Sequence, residues 1–377
     1  MLYAVSMRMS SLLLVALCLA ATGQTPASAN PDELLRAGVA AEQHGDVAAA
    51  VGLFRQAIAL RPGMLPARAS LGAALAAEGQ FDAAIEEDSA VLAASPSYPG
   101  VRMSLAKALF SKGDLPHART EADRLHTADP SDRVAAVLLA NTLIKMGRES
   151  EAVDTLMPLE AGHEGEMDLE YALAFALIES GRASDGLPRM EAVARSTHSA
   201  SAWAAAGASR LSRGEFAAAH TDLGAAIDLN PSLPGLYTMA GQTELALAGA
   251  EAAQPLFQAA LRADPRDATA NLYMGIYWLN RGDVEAARSP LETALAVAPQ
   301  YPLARLKMAE LNSRTGNYAE AVKTLEELEK ATPDWPDPHI KLAALYYKLR
   351  RPEDGARERA IVEQIEAQRQ KDGPPKH

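Results

Sequence analysis

ATANLYMGIYWLNRGDVEAARSPLETALAVAPQY, the stretch from Ala268 to Tyr301, decides the fold of this chain. Its apolar residues recur at helical spacing in two segments, the first of which ends near Arg281. Gly282 and Asp283 are typical of a turn that closes one helix and caps the next, and Pro299 ends the second segment. The stretch therefore predicts a pair of antiparallel helices, 34 residues long in all.

The same frame recurs along the whole chain at steps of 34 residues, with one step of 33 between the fifth and sixth copies. Every copy has Gly or Ala at positions 8 and 20, counted from Ala268 as position 1. We expect the two helices of a pair to cross closely there, as at Gly275 and Ala287, because only small side chains let two backbones approach. The ten copies begin at Pro31, Leu65, Pro99, Arg133, Met167, Ala200, Pro234, Ala268, Pro302 and Pro336.

The repeat resembles the tetratricopeptide repeat family. That family has a large residue at position 4, Leu-Gly at positions 7 and 8, small residues at 8 and 20, Phe at 24, Ala at 27 and Pro at 32. The matching residues here are Trp203, Tyr237, Leu71, Gly72, Phe54, Phe257, Ala57, Ala226, Ala260 and Ala294, together with the prolines that close most copies. The resemblance covers residues 31–367 and implies an all-α fold, a right-handed superhelical solenoid of about ten helical hairpins.

The chain divides into a predicted signal peptide at 1–29, a solenoid at 30–370 and a disordered tail at 371–377. Arg8 precedes a short apolar core, and Ala27-Ser28-Ala29 is a small-x-small cleavage site. Cleavage after Gly23 and a start at Met7 remain alternatives. The apolar run is too short to span a bilayer, so no transmembrane segment is expected after signal removal. These features predict export to the bacterial periplasm or secretion.

Composition and motifs argue against several classes of protein. The net charge of −12 disfavours binding to nucleic acid or anionic lipid. The single cysteine, Cys18, lies in the predicted signal, which suits an oxidising compartment. No catalytic or phosphate-binding motif is present, and the ten repeats leave no room for a catalytic domain. His163 with Glu164 lies in a polar turn without a second histidine, so we predict no enzyme activity, no cofactor and no metal.

Two regions depart from the regular pattern. In repeats four and five, residues 133–199, the closing proline is absent from both copies, and one residue is lost. We interpret this region, with the polar turn at 162–168, as a hinge or a change of superhelical pitch and not as a domain boundary. The tenth repeat lacks the turn glycine and ends in a polar capping helix that carries Glu353, Asp354, Arg357, Glu358, Arg359, Glu363, Glu366 and Arg369.

The resemblance places one face of each first helix in a concave groove, through positions 2, 5, 9 and 12. Large apolar and aromatic groups recur there, and such surfaces commonly bind partners. The predicted groove residues are Met103, Lys107, Phe110, Asn141, Tyr171, Phe175, Thr238, Gln242, Leu272, Ile276, Leu306 and Glu310. The alternative is that these groups pack only on neighbouring repeats.

The predicted function is a non-catalytic scaffold that holds an extended or helical segment of a partner protein, in envelope assembly or export by family analogy. The basic clamp that some family members use for a C-terminal carboxylate is absent. Positions 5 and 9 of repeats one to three hold Leu35 and Val39, Ala69 and Ala73, and Met103 and Lys107. Two other functions remain open: a self-associating structural array, and an accessory component of polysaccharide processing that binds glycan through groove aromatics.

Overall fold

The computed structural model describes residues 30–162 and 165–372, with the side chain of the last residue left out. The predicted signal peptide, with Arg8 and Cys18, lies outside the described residues. The same is true of His163 and Glu164. The described residues form two compact units that divide between Ser180 and Gly181. This division falls inside repeat five, the degenerate copy that we interpreted as a hinge or pitch change within one continuous solenoid.

The described part of the first unit contains nine α-helices and one short 3-10 helix. Repeat four is irregular because its second helix has only 8 residues, and the 3-10 turn Met157–Leu159 follows it at Pro158. The helices are α1 (Pro31–Gln43), α2 (Val47–Leu60), α3 (Leu65–Ala77), α4 (Phe81–Ala94), α5 (Val101–Lys112), α6 (Leu115–Ala128), α7 (Arg133–Lys145), α8 (Glu149–Leu156) and α9 (Met167–Glu179).

The second unit continues the pattern with eleven helices over its described residues, and neither unit contains a strand in the parts that are described. The predicted all-α fold of paired hairpins is thus confirmed. The helices are α10 (Ala183–Thr197), α11 (Ala200–Ser212), α12 (Phe216–Leu229), α13 (Leu236–Leu247), α14 (Ala250–Ala263), α15 (Ala268–Asn280), α16 (Val284–Val297), α17 (Pro302–Arg314), α18 (Tyr318–Ala331), α19 (Pro336–Lys348) and α20 (Pro352–Asp372).

Within each unit, every helix packs against the next one along the chain. The odd-numbered helices, which are the first helices of their repeats, also approach one another from repeat to repeat, apart from the unit boundary. Apart from the unit boundary and α20, the even-numbered second helices contact the first helices on both sides of them. One side of each unit is therefore built from first helices, and we call this side the first-helix face.

The turns follow the sequence signals. Gly282 adopts the left-handed conformation with φ 79°, and the Asp283 carboxylate accepts a hydrogen bond from the Ala286 amide at 2.9 Å, which caps α16. Repeat ten has no glycine at this position, and Arg350 takes its place with φ 59°. The turn geometry is therefore kept even where a side chain makes that conformation unfavourable.

The small residues at position 8 also contact a side chain that the sequence analysis did not consider. A methyl group added at Gly275 would lie 2.6 Å from Leu291 Cγ, so the side chain at position 24 covers the glycine. Phe257 covers Gly241 in the same way, at 2.6 Å from Cε1 to the added methyl. The backbone at position 20 is also close in repeat two, where a methyl group added at Gly72 would lie 3.5 Å from the Ala84 carbonyl oxygen. Ala287, at position 20 of repeat eight, is fully buried.

The last helix, α20, is polar over most of its length, as a terminal repeat requires. It continues to Asp372, two residues into the predicted tail, and residues 373–377 lie outside the described part of the chain. One of its charged residues does not face solvent: Glu358 is only 5% exposed and contacts His339 of α19. The capping helix therefore buries a carboxylate against the helix that it covers.

Candidate partner-binding surface

Helices α5, α7 and α9 bring the predicted residues of the first unit to its first-helix face. Met103 and Phe110 are half-buried and pack on the core cluster beneath them, which includes Leu139 and Leu173. Lys107 lies between them on α5 and is exposed. Phe110 therefore fits both expectations from the sequence. It packs on the core of the repeats, and part of its ring is still exposed on the first-helix face.

A cation lies over the Phe110 ring. The Lys145 ammonium on α7 is 4.3 Å from the ring centroid, within the range of a cation–π interaction. Sequence analysis did not identify Lys145, although it follows Asn141 by one helical turn and therefore shares its side of α7. Lys107 and Lys145 together give this part of the surface two ammonium groups beside an aromatic ring.

Helix α9 adds two stacked aromatic rings. The Tyr171 and Phe175 centroids are 6.4 Å apart with an interplanar angle of 7°. Both side chains are half-buried, and burial raises the pKa of the Tyr171 hydroxyl above its usual value. The Tyr171 phenol thus stays neutral at physiological pH, which suits an apolar contact with a hydrogen-bonding edge.

In the second unit, three of the predicted groove residues are buried and cannot contact a partner. Leu272 is 0% exposed and Leu306 is 2% exposed, so both belong to the core between neighbouring first helices. Thr238 is 7% exposed, and its hydroxyl donates a hydrogen bond to the Asp267 carboxylate. The prediction of a groove role for these three residues is corrected by their burial.

Gln242 and Ile276 remain half-buried on the first-helix face of the second unit, and Glu310 is surrounded by cations. The Glu310 carboxylate accepts from Lys307 Nζ at 3.3 Å, from Lys341 Nζ at 3.4 Å and from Arg314 at 2.5 Å. Burial alone would raise the pKa of Glu310, but these three cations outweigh it and lower the pKa. Glu310 is therefore a structural anion, and it leaves the local surface with an excess of positive charge.

The two units thus present different surfaces. The first unit offers aromatic rings with two lysines, whereas the second offers an ion network together with apolar groups such as Ile340 of α19, which is 46% exposed. The sequence signal for the ion network was available, since Lys307 and Lys341 occupy the same position in successive repeats. In the described part of the chain, none of the helices combines the length and apolar character needed to cross a bilayer.

This architecture of paired antiparallel helices, stacked so that each repeat contacts its neighbours, defines a helical-repeat protein. Two models of the tetratricopeptide repeat match the chain, one at residues 75–137 and 279–345 and the other at 35–99 and 238–302. The chain belongs to the tetratricopeptide repeat family. Proteins of this family are generally scaffolds for protein interaction. A comparison with curated protein sequences gave no match.

Solved structures show the same fold at low sequence identity. The crystal structure of the APC/C hetero-tetramer Cut9-Hcn1 is 13% identical, covers 94% of this chain and 78% of that chain, and gives a TM-score of 0.54. The structure of Pseudomonas aeruginosa pilF is 16% identical, covers 58% of this chain and 96% of that chain, and gives a TM-score of 0.51. These similarities support the fold assignment alone.

Proposed function

We propose that this chain is a non-catalytic scaffold that acts outside the cytoplasm and holds a segment of a partner protein on the first-helix face of its first unit. The observation that carries this proposal is the group formed by Phe110, Tyr171, Phe175, Lys107 and Lys145. Half-buried aromatic rings are held rigidly by the core, so a partner can bury them further at little cost in conformational entropy.

The chemistry of this surface favours a particular kind of segment. Apolar side chains of a helix or an extended peptide would pack on the rings of Phe110 and Phe175. The exposed Lys107 ammonium forms no ion pair with other described residues, so it is available for an acidic side chain. We therefore expect an apolar segment flanked by Asp or Glu.

The proposed location rests on the sequence of residues 1–29, with its apolar core and its small-x-small site. The absence of cysteine after Cys18 is consistent with an oxidising compartment. A role in envelope assembly or export follows from this location combined with the scaffold fold. Self-association and glycan binding are the competing outcomes of the experiment below.

The test is site-specific crosslinking in cells that produce the full chain. A photoreactive residue at Lys107, on the first-helix face, should capture a discrete partner in the envelope or secreted fraction. The matched control has the same photoreactive residue at His117, which is exposed on the second helix of the same repeat and should capture none. Capture of a second copy of this chain would support the array instead.

Once the partner is identified, its affinity for two variants tests whether the first-helix face of the first unit is the binding surface. We expect Lys107→Glu to weaken binding at least about tenfold, because it places an acid beside the acidic flank. Phe110→Ala/Phe175→Ala should weaken it further, whereas Leu60→Ala/Leu229→Ala, on second helices, should leave it unchanged. Equal binding by wild type, Lys107→Glu and Phe110→Ala/Phe175→Ala would contradict the proposed surface.

A further inference from the structure

Three side chains with metal-binding atoms meet near the end of the second unit. Glu329 on α18, His339 on α19 and Glu358 on α20 each bring one ligand atom to within 4.8 Å of the other two. His339 Nδ1 lies 2.7 Å from Glu358 Oε2 and 3.6 Å from Glu329 Oε2. Three different helices, from two successive repeats, thus supply one ligand atom each.

The cluster is largely withdrawn from water. His339 and Glu358 are 4% and 5% exposed, and the Glu329 side chain is 23% exposed. Burial raises the pKa of Glu329, and the nearby Glu358 raises it further, while His339 opposes both effects. Even a charged imidazole compensates only one of the two carboxylates. His339 Nε2 is also buried without a hydrogen-bond partner among the described residues, so the cluster leaves a buried polar atom unsatisfied.

The other repeats show that this arrangement departs from the pattern. Positions 4 and 23, which hold His339 and Glu358 here, form arginine–glutamate ion pairs in repeats two and three, as in Arg68 with Glu87. The position of Glu329 faces the next repeat and is half-buried and apolar in most other copies. It is occupied by Ile58, Leu92, Ile227, Leu261 and Leu295.

At the junction of repeats nine and ten, two residues therefore differ from those of the repeats just compared. An arginine, which cannot bind a metal, is replaced by the imidazole of His339, and an apolar contact is replaced by the carboxylate of Glu329. Each change alone weakens a repeat junction, since it removes a permanent cation or buries an acid. Together they assemble one nitrogen and two oxygen ligands.

We propose that Glu329, His339 and Glu358 bind one divalent transition-metal ion, with zinc as the best match. Zinc accepts nitrogen and carboxylate ligands at about 2.0–2.2 Å, and tetrahedral geometry then places neighbouring ligand atoms about 3.4 Å apart. The observed separations of 2.7 and 3.6 Å reach that value with movements below about 1 Å. Calcium and magnesium prefer all-oxygen sites with more ligands.

The ion would occupy the space between α18, α19 and α20, with water as a fourth ligand on the more exposed side of Glu329. It would neutralise both carboxylates and tie the last hairpin to the preceding repeat. Among the described residues this hairpin packs on a repeat at only one side, so a metal crosslink adds to the interactions that hold it there.

The first test measures zinc binding to the full chain without an affinity tag, after removal of metal with a chelator. Equilibrium dialysis with zinc chloride should give one ion per chain. His339→Gln should weaken the binding at least about tenfold. His220→Gln, which removes an exposed histidine that pairs with Glu244 at 2.5 Å, should bind like the wild type. Absence of stoichiometric zinc in the wild type, or equal binding by His339→Gln, would overturn the site.

Thermal unfolding separates a metal site from an ordinary ion pair, and it does so even if His339→Gln fails to fold. Zinc at a hundredfold excess over its dissociation constant should raise the wild-type Tm by about 5 °C. Metal-free Glu329→Gln should melt above the metal-free wild type, because it removes one of two crowded carboxylates, and zinc should no longer raise its Tm. A lower Tm for metal-free Glu329→Gln, with no zinc shift in either protein, would overturn the proposal.

Discussion

Repeats two and six each bury an aspartate, but they satisfy it differently. Asp88 in α4 is 0% exposed and has no ion-pair partner among the described residues, and only the Ser104 hydroxyl favours its charged form. Asp222 in α12 is 2% exposed and forms an ion pair with Arg210, which also binds Glu191. One repeat therefore buries a lone acid, and the other buries an acid together with its cation.

The difference follows from a shift of one position along the second helix. Asp88 stands at position 24, over Gly72, where repeat six has Leu223 over Gly207. Asp222 stands one residue earlier, where its side chain reaches Arg210 of the preceding helix. At position 24 the space over the small residue limits the size of the side chain, and Asp88 has no cation there. At position 23, Asp222 lies within reach of Arg210. The pKa values of Asp88 and Asp222 differ for the same reason.

Burial raises the pKa of Asp88 to about 6, helped by Glu87 and opposed only by the Ser104 hydroxyl. Burial also raises the pKa of Asp222, but Arg210 holds that rise back through its hydrogen bond and its charge. The repeat therefore tolerates a buried acid in two ways. Asp88 has a raised pKa and is protonated more readily than an exposed aspartate, whereas Asp222 is one member of a buried ion network.

The largest effect should come from breaking the network of repeat six. Arg210→Met leaves Asp222 and Glu191 without their shared cation, and loss of one partner of a buried pair costs about 4 kcal/mol. Urea unfolding at pH 7.5 measures this as a lower free energy of unfolding for the second unit. Arg213→Met, which removes an exposed arginine bound to Glu215, should cost less than about 1 kcal/mol. Equal costs would remove the distinction between the two aspartates.

The second prediction concerns the lone acid of repeat two. Because its pKa rises from 3.8 to about 6, ionising Asp88 costs the fold about 3 kcal/mol at pH 7.5. The cost is absent below pH 3.8, grows as the pH passes from there to about 6, and is complete above it. Asp88→Asn should therefore stabilise the protein by about 2 kcal/mol at pH 7.5 and by little at pH 4.

The measurement is urea unfolding of Asp88→Asn and wild type at both pH values. Glu86→Gln, on the exposed side of the same helix, serves as the control and should show no gain that depends on pH. A destabilised Asp88→Asn at pH 7.5 would mean that the Asp88 charge is satisfied, and the contrast with Asp222 would disappear.

The smallest effect tests whether position 24 selects by volume. A methyl group added at Gly207 would lie 2.7 Å from Leu223 Cγ and 3.3 Å from the Leu223 backbone nitrogen, so rotation of the leucine alone cannot relieve the contact. Gly207→Ala should cost about 1.5 kcal/mol. Gly224→Ala, on the same hairpin with nothing within 4 Å, should instead stabilise by about 0.5 kcal/mol, as measured by Tm and urea midpoint. Similar effects for both variants would refute the volume argument.

The sequence predicted the helices and their order because those signals are local. Helical periodicity, a left-handed glycine and a closing proline act within a few residues, and α15 and α16 end within one residue of their predicted limits. The groove was predicted less well. Leu272, Leu306 and Tyr171 share position 5, yet the leucines are buried and the tyrosine is not, because exposure depends on the side chains of the neighbouring first helix.

The cluster of Glu329, His339 and Glu358 could not be predicted from the spacing of its residues in the sequence. His339 and Glu358 are 19 residues apart and meet only after α19 and α20 pair. Glu329 joins them from the preceding repeat, so no motif of fixed length contains all three. Sequence analysis accordingly predicted no metal, and it placed Glu358 on a solvated cap. The departure of Glu329 from an apolar position was the signal that could have been used.

Packing between helices that are close along the chain has a genetic consequence. Each helix of a unit contacts only helices one or two places away, so every junction is rebuilt if a whole block of 34 residues is copied in tandem. Unequal recombination at the period of the repeat would lengthen or shorten such a gene without creating a foreign interface. An insertion of another length inside a helix would put that helix out of register with both of its neighbours. The helical hairpin is thus the unit that can be duplicated or deleted while the packing of the remaining helices is kept.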